Sequence, residues 1–488
     1  MKIPLDRQAQ QPIYLQIRDR IQHLIASGRL HPGAQLPSIR ALAQSTQVNK
    51  LTVLEAYSML EADGLVQAKQ GAGYFINPPE SLALRSPLPP ATFNPAQKVI
   101  MPTQGINAFP EIYHATLNSY SQPNYIDFSL GFPQATGLED LQRIARRAMK
   151  DAHSFFQPIH PQGDLIFRGQ IAQILLQQGL EISAEDLIIT NGSMQALSLL
   201  VEHFISPGDP VIVEAPTYHG FLSILQQRGA QIIGIPMTPQ GMNLDLLAQY
   251  LESHRPRLIY TMSTLHNPTG ITTDVSHRRK LLALAEAYDC PIVEDNAYEP
   301  LSFGITPPPI KAFDTQNHVI YVGTFSKTLM PGLRVGYMAV SSSEQQQLTE
   351  RKLLHDFHVS SASQAIIKEY LASGHYRRRL NQMRLLHCDR RNYFIQALVR
   401  HLPASVAWTL PEGGTFLWIQ LPDTVDLTSL CNATAEQKVL VGSGAAFFPT
   451  QQGYPALRLN FSLPPADAER GLAILGNILS NILRKHLP

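Results

Sequence analysis

Apolar residues recur at helical spacing from the thirteenth position: Ile13, Ile17, Ile21, Leu24 and Ile25 share one face, and Gly28 ends the run. Ser38 stands where it can cap a short second helix over 39–44. Thr46-Gln-Val48 makes a turn, and Asn49 can cap a third helix with Val53, Tyr57 and Leu60 as its inner stripe, stopped by Gly64. The period then shortens, and residues 65–76 read as a hairpin with a glycine tip. Three helices followed by a hairpin describe a winged helix-turn-helix, here residues 1–78.

Beyond Asn77 the pattern dissolves. Pro78, Pro79, Pro87, Pro89, Pro90, Pro95 and Pro102 crowd the next stretch, which reads as a semi-rigid linker over 79–105. After it, short apolar runs alternate with helical sequence. Leu187-Ile-Ile-Thr190, Pro210-Val-Ile-Val213, Arg257-Leu-Ile-Tyr260, Pro291-Ile-Val-Glu294 and His318-Val-Ile-Tyr-Val322 read as strands, each followed by a Gly-, Pro- or Asn-rich loop. The alternation predicts an α/β domain over 106–488, with a large, mostly parallel sheet covered by helices. From about residue 350 the pattern changes to a long helix and then a smaller α+β unit.

Composition changes this picture little. The 488 residues suffice for two or three domains with substantial cores, and 44% hydrophobic with 16% charged is ordinary for a globular chain. A net charge of +1 gives no global field for nucleic acid or membrane. Residues 1–78, however, hold eight Lys/Arg against five Asp/Glu, and the remainder 31 against 33. That sign suits a small basic head on a neutral body. Cys290, Cys388 and Cys431 are far apart and form neither a disulfide framework nor a metal spacing. With no apolar signal core and no membrane-length run, the expected location is cytoplasmic.

The chemistry concentrates in Gly323-Thr-Phe-Ser-Lys-Thr-Leu-Met-Pro-Gly-Leu-Arg334. A lysine attacks an aldehyde only as the neutral amine, so nearby positive charge and burial must lower its pKa. Lys327 is set among hydroxyls, and Thr324, Ser326 and Arg334 can hold a phosphate beside it. A solitary lysine in a Gly/Pro loop reads as a surface group. The ordered pattern Ser-Lys…Pro-Gly-x-Arg-x-Gly asks for more.

Two resemblances organise these residues. Leu36-Pro-Ser-Ile-Arg-Ala-Leu-Ala and Val48-Asn-Lys-Leu-Thr-Val-Leu-Glu-Ala-Tyr57 resemble the GntR-type winged helix over residues 11–77. The resemblance implies double-stranded operator DNA as partner, with Asn49, Lys50 and Thr52 at the start of the recognition helix. Arg40 then lies near the backbone or a base edge, Ser38 and Thr52 bond phosphates, and Gly71 at the wing tip approaches the minor groove. Lys50 stands where that family usually has Arg, and Leu51 where Asn is common.

Residues 106–488 resemble the fold-type-I aminotransferases, which use pyridoxal 5′-phosphate. Asn267-Pro-Thr-Gly270, Glu294-Asp-Asn-Ala-Tyr298 and the Lys327 segment carry this, with Thr190-Asn-Gly-Ser-Met194 and Glu214-Ala-Pro-Thr-Tyr218 upstream. The resemblance implies an aldimine at Lys327, with Asn267 and Tyr298 on the phenolic oxygen and Asp295 on the pyridine nitrogen. Gly192, Ser193 and Met194 offer backbone N–H groups to the phosphate, Arg334 clamps it, and Tyr218 stacks on the ring. Arg458, in Leu457-Arg-Leu-Asn-Phe461, takes the substrate or effector carboxylate. Gly163 and Arg168 match a further family segment, but Pro158 stands where a tyrosine usually reaches the partner subunit's phosphate, and His160 is a possible substitute. A GntR-like head on such a body is the layout of the MocR regulators, which include sensors of GABA, taurine and pyridoxal phosphate. The layout implies a homodimer, often head-to-tail, and an amino acid, an amine or the cofactor itself as effector, sensed by aldimine exchange. An aminotransferase with a regulatory head is the alternative.

Overall fold

The computed structural model describes residue 5 and residues 13–26, 30–31, 33–62, 65–69, 73–77, 99–100, 124–133, 138–450 and 453–484. By contacts the chain divides into two compact units, 1–87 with 373–385, and 88–372 with 386–488.

The head is built from the helices Ile13–Ala26, Ile39–Thr46 and Lys50–Ala62 and the antiparallel hairpin Val66–Lys69/Gly73–Ile76. Ser38 caps the second helix, its Oγ accepting the Ala41 N–H at 3.2 Å. That helix runs two residues further than its apolar pattern predicts. Gln47 ends it in the left-handed region, φ 54°, and donates its N–H to Ala43 O. Ile17, Ile21, Leu42, Val53, Ala56, Tyr57 and Leu60 have no exposed surface, so the stripes read from the sequence do form the core. Residues 33–36 add a strand-like edge to the wing: Leu36 N–H donates to Tyr74 O at 2.8 Å and Ile76 N–H to Ala34 O at 2.9 Å. Gly28, Gly64, the hairpin tip with Gly71 and most of 79–105 lie outside the described residues.

The body centres on an eight-stranded sheet in the order Leu187–Thr190, Gly336–Ala339, Val319–Thr324, Ile292–Asp295, Leu258–Thr261, Pro210–Ala215, Gln231–Thr238, Gly241–Met242. The pairings from Val319–Thr324 through to Gln231–Thr238 are parallel. Gly336–Ala339 runs against both its neighbours. All five predicted strands are present. Gln231–Thr238 escaped the pattern because Gly234 and Pro236 interrupt it, and Gly336–Ala339 because four residues carry little periodicity. The C-terminal part of the body holds a four-stranded antiparallel sheet, Ala407–Trp408, Phe416–Gln420, Ala456–Asn460 and Gly442–Ser443 in that order. Its inner face packs Leu417, Ile419, Leu457 and Leu459 against Leu472, Leu475 and Leu479 of the helix Pro465–Arg484. Among the described residues no helix is long and apolar enough to cross a membrane.

Candidate functional site

Each candidate cofactor residue of the large sheet follows the carboxyl end of a strand, where a parallel α/β sheet opens a crevice. Thr190 leads into the helix Gly192–Phe204, Ala215 into Tyr218, Thr261 into Asn267, and Thr324 into Lys327, while Asp295 ends its own strand. Arg458 enters from the smaller sheet, on the strand Ala456–Asn460 opposite Trp418.

Lys327 sits at the floor. Its Nζ donates to Gly131 O at 2.7 Å and lies 5.1 Å from the ring centroids of both Phe132 and Tyr298. Burial first, then the Arg458 charge, and to a lesser degree Arg334, push its pKa down to about 7. Tyr298 Oη donates to the same Gly131 carbonyl at 2.8 Å. Arg458 is buried between Phe416 and Phe447, 4.3 and 4.8 Å from their centroids. It donates from Nη1 to Asn267 Oδ1 at 3.0 Å and from Nη2 to Ser129 O at 2.6 Å. Lys327, Tyr298, Asn267 and Arg458 thus meet around the loop 129–133.

Asp295 is buried, and burial pushes its carboxyl up to about 6, against the pull of its donors. Those donors are the Tyr260 hydroxyl at 2.9 Å and the Ala297 N–H at 3.1 Å. Both are neutral, so the carboxylate has room for a cationic N–H partner. Tyr218 is half-buried, with its hydroxyl 3.2 Å from Met194 Sδ. A Cβ at Gly220 would stand 2.6 Å from the Tyr218 ring.

The opposite end is built for an anion. The helix Gly192–Phe204 starts with Gly192 at φ 72°, and its N-cap Asn191 makes no side-chain cap, so the N–H groups of Gly192, Ser193 and Met194 begin the helix without that acceptor. Arg334 lies over this terminus: a Cβ at Gly192 would fall 2.7 Å from Arg334 Nη2. Gly336 has no room either, since a Cβ there would meet Gly192 C at 2.5 Å. Arg334 bonds Ser326 Oγ and Pro331 O at 3.5 Å each, and no carboxylate salt bridge holds it among the described residues. Thr324 differs from its sequence reading. Its hydroxyl donates to Val335 O at 3.1 Å and accepts the Ser326 N–H at 3.1 Å, so it shapes the lysine loop from within.

These features fit pyridoxal 5′-phosphate. An N–H-rich helix start under a guanidinium suits a dianionic phosphate. A buried carboxylate with only neutral donors suits a ring N–H, and a depressed lysine suits an aldehyde. Arg458 Nε and His219 Nδ1 are also buried without a partner.

Three contributors were missed from sequence. Tyr260, at the end of a strand, orients Asp295. Asn460 Nδ2 donates to Leu130 O at 2.9 Å and Phe132 O at 3.1 Å, holding the 129–133 loop. His219 lies 5.0 Å from Tyr218 and 5.2 Å from Phe447, ring to ring. Tyr260 and Asn460 follow no spacing rule and depend on which strands become neighbours, whereas His219 simply follows Tyr218 at a helix start. Gly163 and Arg168 are structural. Gly163 adopts φ 106° with a Cβ position 2.3 Å from Ile189 Cγ1, and buried Arg168 donates to Ala184 O at 2.5 Å and Gly163 O at 3.3 Å. Pro158 and His160 are exposed, and His160 Nδ1 accepts the Gln162 N–H at 3.2 Å.

In the head, Arg40, Asn49 and Lys50 are exposed and Thr52 is half-buried. Asn49 also serves as a cap, its Oδ1 accepting the Leu51 N–H at 3.0 Å.

Residues 123–475 match the family "Aminotransferase class I and II", and residues 13–76 match "Bacterial regulatory proteins, gntR family". The uncharacterized HTH-type transcriptional regulator YdfD of Bacillus subtilis is 30% identical over 481 residues, 96% of this chain and 97% of that protein. The 2-aminoadipate transaminase of Thermus thermophilus is 30% identical over 371 residues, 74% of this chain and 92% of that enzyme. A crystal structure of the multiple substrate aminotransferase from Thermococcus profundus superposes with a TM-score of 0.72 at 31% identity, covering 78% of this chain and 97% of that one. The chain belongs to the class I and II aminotransferase family, and its cofactor is pyridoxal 5′-phosphate. With the GntR-family head in front, it has the architecture of a MocR-type transcriptional regulator.

Proposed function

We propose that the chain works in the cytoplasm as a homodimeric regulator that reads operator DNA with its heads and senses an amino acid or amine at Lys327. The observation that carries this is the presence, behind a GntR-family helix-turn-helix, of a buried lysine gathered with Tyr298, Asn267 and Arg458 around one loop.

Pyridoxal 5′-phosphate supplies an aldehyde that condenses with amines and a pyridine ring that withdraws electrons. The residues around it have separable tasks. Gly192, Ser193, Met194, Ser326 and Arg334 would hold the phosphate, Asp295 would hold the ring nitrogen with Tyr260 behind it, and Tyr218 would cover the ring face. Asn267 and Tyr298 would bond the phenolic oxygen. Lys327 provides the exchangeable amine, kept reactive by burial and by Arg458.

Arg458 has a second task. Its Nη2 bond to Ser129 O helps to fix the loop that presents Gly131 O to Lys327 and Tyr298. An effector carboxylate that takes a bidentate grip on Arg458 competes with that bond. The resulting rearrangement of the 129–133 loop is the proposed start of the signal. Ile100, near the linker's end, pairs with Gly234 through N–H···O bonds of 2.9 and 2.8 Å and packs in one cluster with Phe447, which lies against Arg458. This gives the signal a packed route toward the linker. The proposed dimer is head-to-tail, so that each loop rearrangement alters the spacing of two heads. The effector must bind the two arrangements with different affinity for any switch to follow.

A spectral titration of the holoprotein with a panel of amino acids and amines, with product counted in the presence of a keto acid, tests this reading. A saturable spectral change with at most about one equivalent of product per site is expected. Asn267, Asp295, Tyr298, Lys327 and Arg458 would also serve an aminotransferase, and sustained turnover would establish that function instead.

A further inference from the structure

The outward face of the third head helix is apolar where it starts. Along Lys50–Ala62, Val53, Ala56, Tyr57 and Leu60 point inward and are fully buried. At 3.6 residues per turn the opposite face carries Leu51, Leu54, Glu55 and Ser58. Leu51 is 69% exposed and Leu54 39%. In a helix-turn-helix it is the first turn of the second helix that reaches base edges in the major groove.

The polar neighbours of Leu51 leave part of the first turn's base-reading surface to it. An asparagine reads adenine with both amide atoms, and Asn49 Oδ1 is already engaged by the Leu51 N–H at 3.0 Å. Lys50 is a compact charge on a flexible stem that reaches guanine O6 or N7 but, without the planar fork of arginine, fixes no orientation there. Lys50 and Arg40, both exposed, supply positive charge on either side of the turn. Beside these polar groups and the half-buried Thr52, the first turn presents one exposed aliphatic side chain, Leu51. In the major groove the apolar feature that distinguishes one base from the others is the C5-methyl of thymine.

We propose that Leu51 reads a thymine methyl in each operator half-site. This rests on the DNA-binding reading of the head. Duplexes selected from a random pool by the full-length holoprotein provide the probe. Each thymine of the selected sequence is replaced singly by deoxyuridine, which removes only the methyl, and affinity is measured at one salt concentration. At one thymine per half-site the replacement is expected to weaken wild-type binding about fourfold, as for loss of one buried CH₂-sized group. The same replacement should leave Leu51→Ala binding unchanged and still weaken Leu51→Met. Because Leu51 is exposed and alanine is the better helix former, the alanine variant keeps its far-UV circular dichroism. Absence of any methyl-sensitive thymine, or equal sensitivity in Leu51→Ala, overturns the proposal. Recovery of no bound sequence would overturn the DNA reading of the head along with it.

Discussion

Apoprotein should capture pyridoxal 5′-phosphate at a rate that rises with pH to a midpoint near 7, the value to which Lys327 is pushed. At pH 7.5 about three-quarters of such a lysine is neutral, against roughly one in a thousand for an unperturbed amine, a gain of several hundredfold in reactive species. The causes allow a sharper check, because they have opposite signs. Arg458→Ala removes a cation that lowers the pKa, so its midpoint should move up toward the ordinary lysine value. Asp295→Asn removes a carboxylate that raises it, so its midpoint should move down. Stopped-flow growth of the visible absorption band reads all three, and the cofactor's own phosphate ionisation near about 6 lies below the window. Stability supplies an independent sign. A lysine whose folded pKa is lowered leaves the unfolded chain binding more protons between about 7 and 10.5, so apoprotein stability should rise with pH across that range. Lys327→Met should therefore stabilise the apoprotein at pH 6.5, with the gain fading toward pH 10. A capture midpoint above about 9, or both charge variants shifting it in the same direction, would refute the assignment.

Further outcomes follow from the same geometry. Lys327→Ala should abolish the visible band of the holoprotein while leaving basal DNA affinity intact, and Arg40→Ala should do the reverse; paired absorption and gel-shift measurements separate them. Gly192→Ala places a Cβ 2.7 Å from Arg334 Nη2 at a backbone φ of 72°, so denaturant unfolding of the apoprotein should show a loss of about 1–2 kcal/mol, the strain of a left-handed position, and equilibrium dialysis should show weaker cofactor binding because Arg334 is displaced. Arg458→Ala should weaken amino-acid binding by roughly 10- to 100-fold, the range for hydrogen bonds to a charged group. It should affect the corresponding decarboxylated amines much less in the same titration.

Much of this was legible in the chain, for reasons that differ by residue. The head's core stripe and the five strands read from the sequence follow from their apolar pattern, since Ile17, Ile21, Val53 and Leu60, or Leu187–Thr190, have no other place to bury their surface. Lys327 and Arg334 were found from the ordered hydroxyl-, Gly- and Pro-rich segment after a strand, and Asp295, at the end of its strand, from the family resemblance. The contributions of Tyr260 and Asn460 were not found. Their task is set by a neighbour 35 residues away in one case and about 330 in the other, so no local pattern marks them. Thr324 shows the converse. Its position beside the lysine suggested a ligand, but its hydroxyl is satisfied by Val335 O within the loop. Leu51 was visible only as a departure from a family habit, and the structure gives the departure a physical sense by leaving it on the open face of its helix.

The claim that joins the two halves is that chemistry at Lys327 controls the heads. The direct test is the affinity of the full-length holoprotein for a selected duplex, at fixed salt, with and without an amine that changes its spectrum, in wild type and in Lys327→Ala. The account predicts a change in affinity of at least about fivefold in wild type, the low end of a typical coupling between two sites, and none in the variant. An unchanged DNA affinity in wild type, accompanied by many equivalents of product per site, would contradict it.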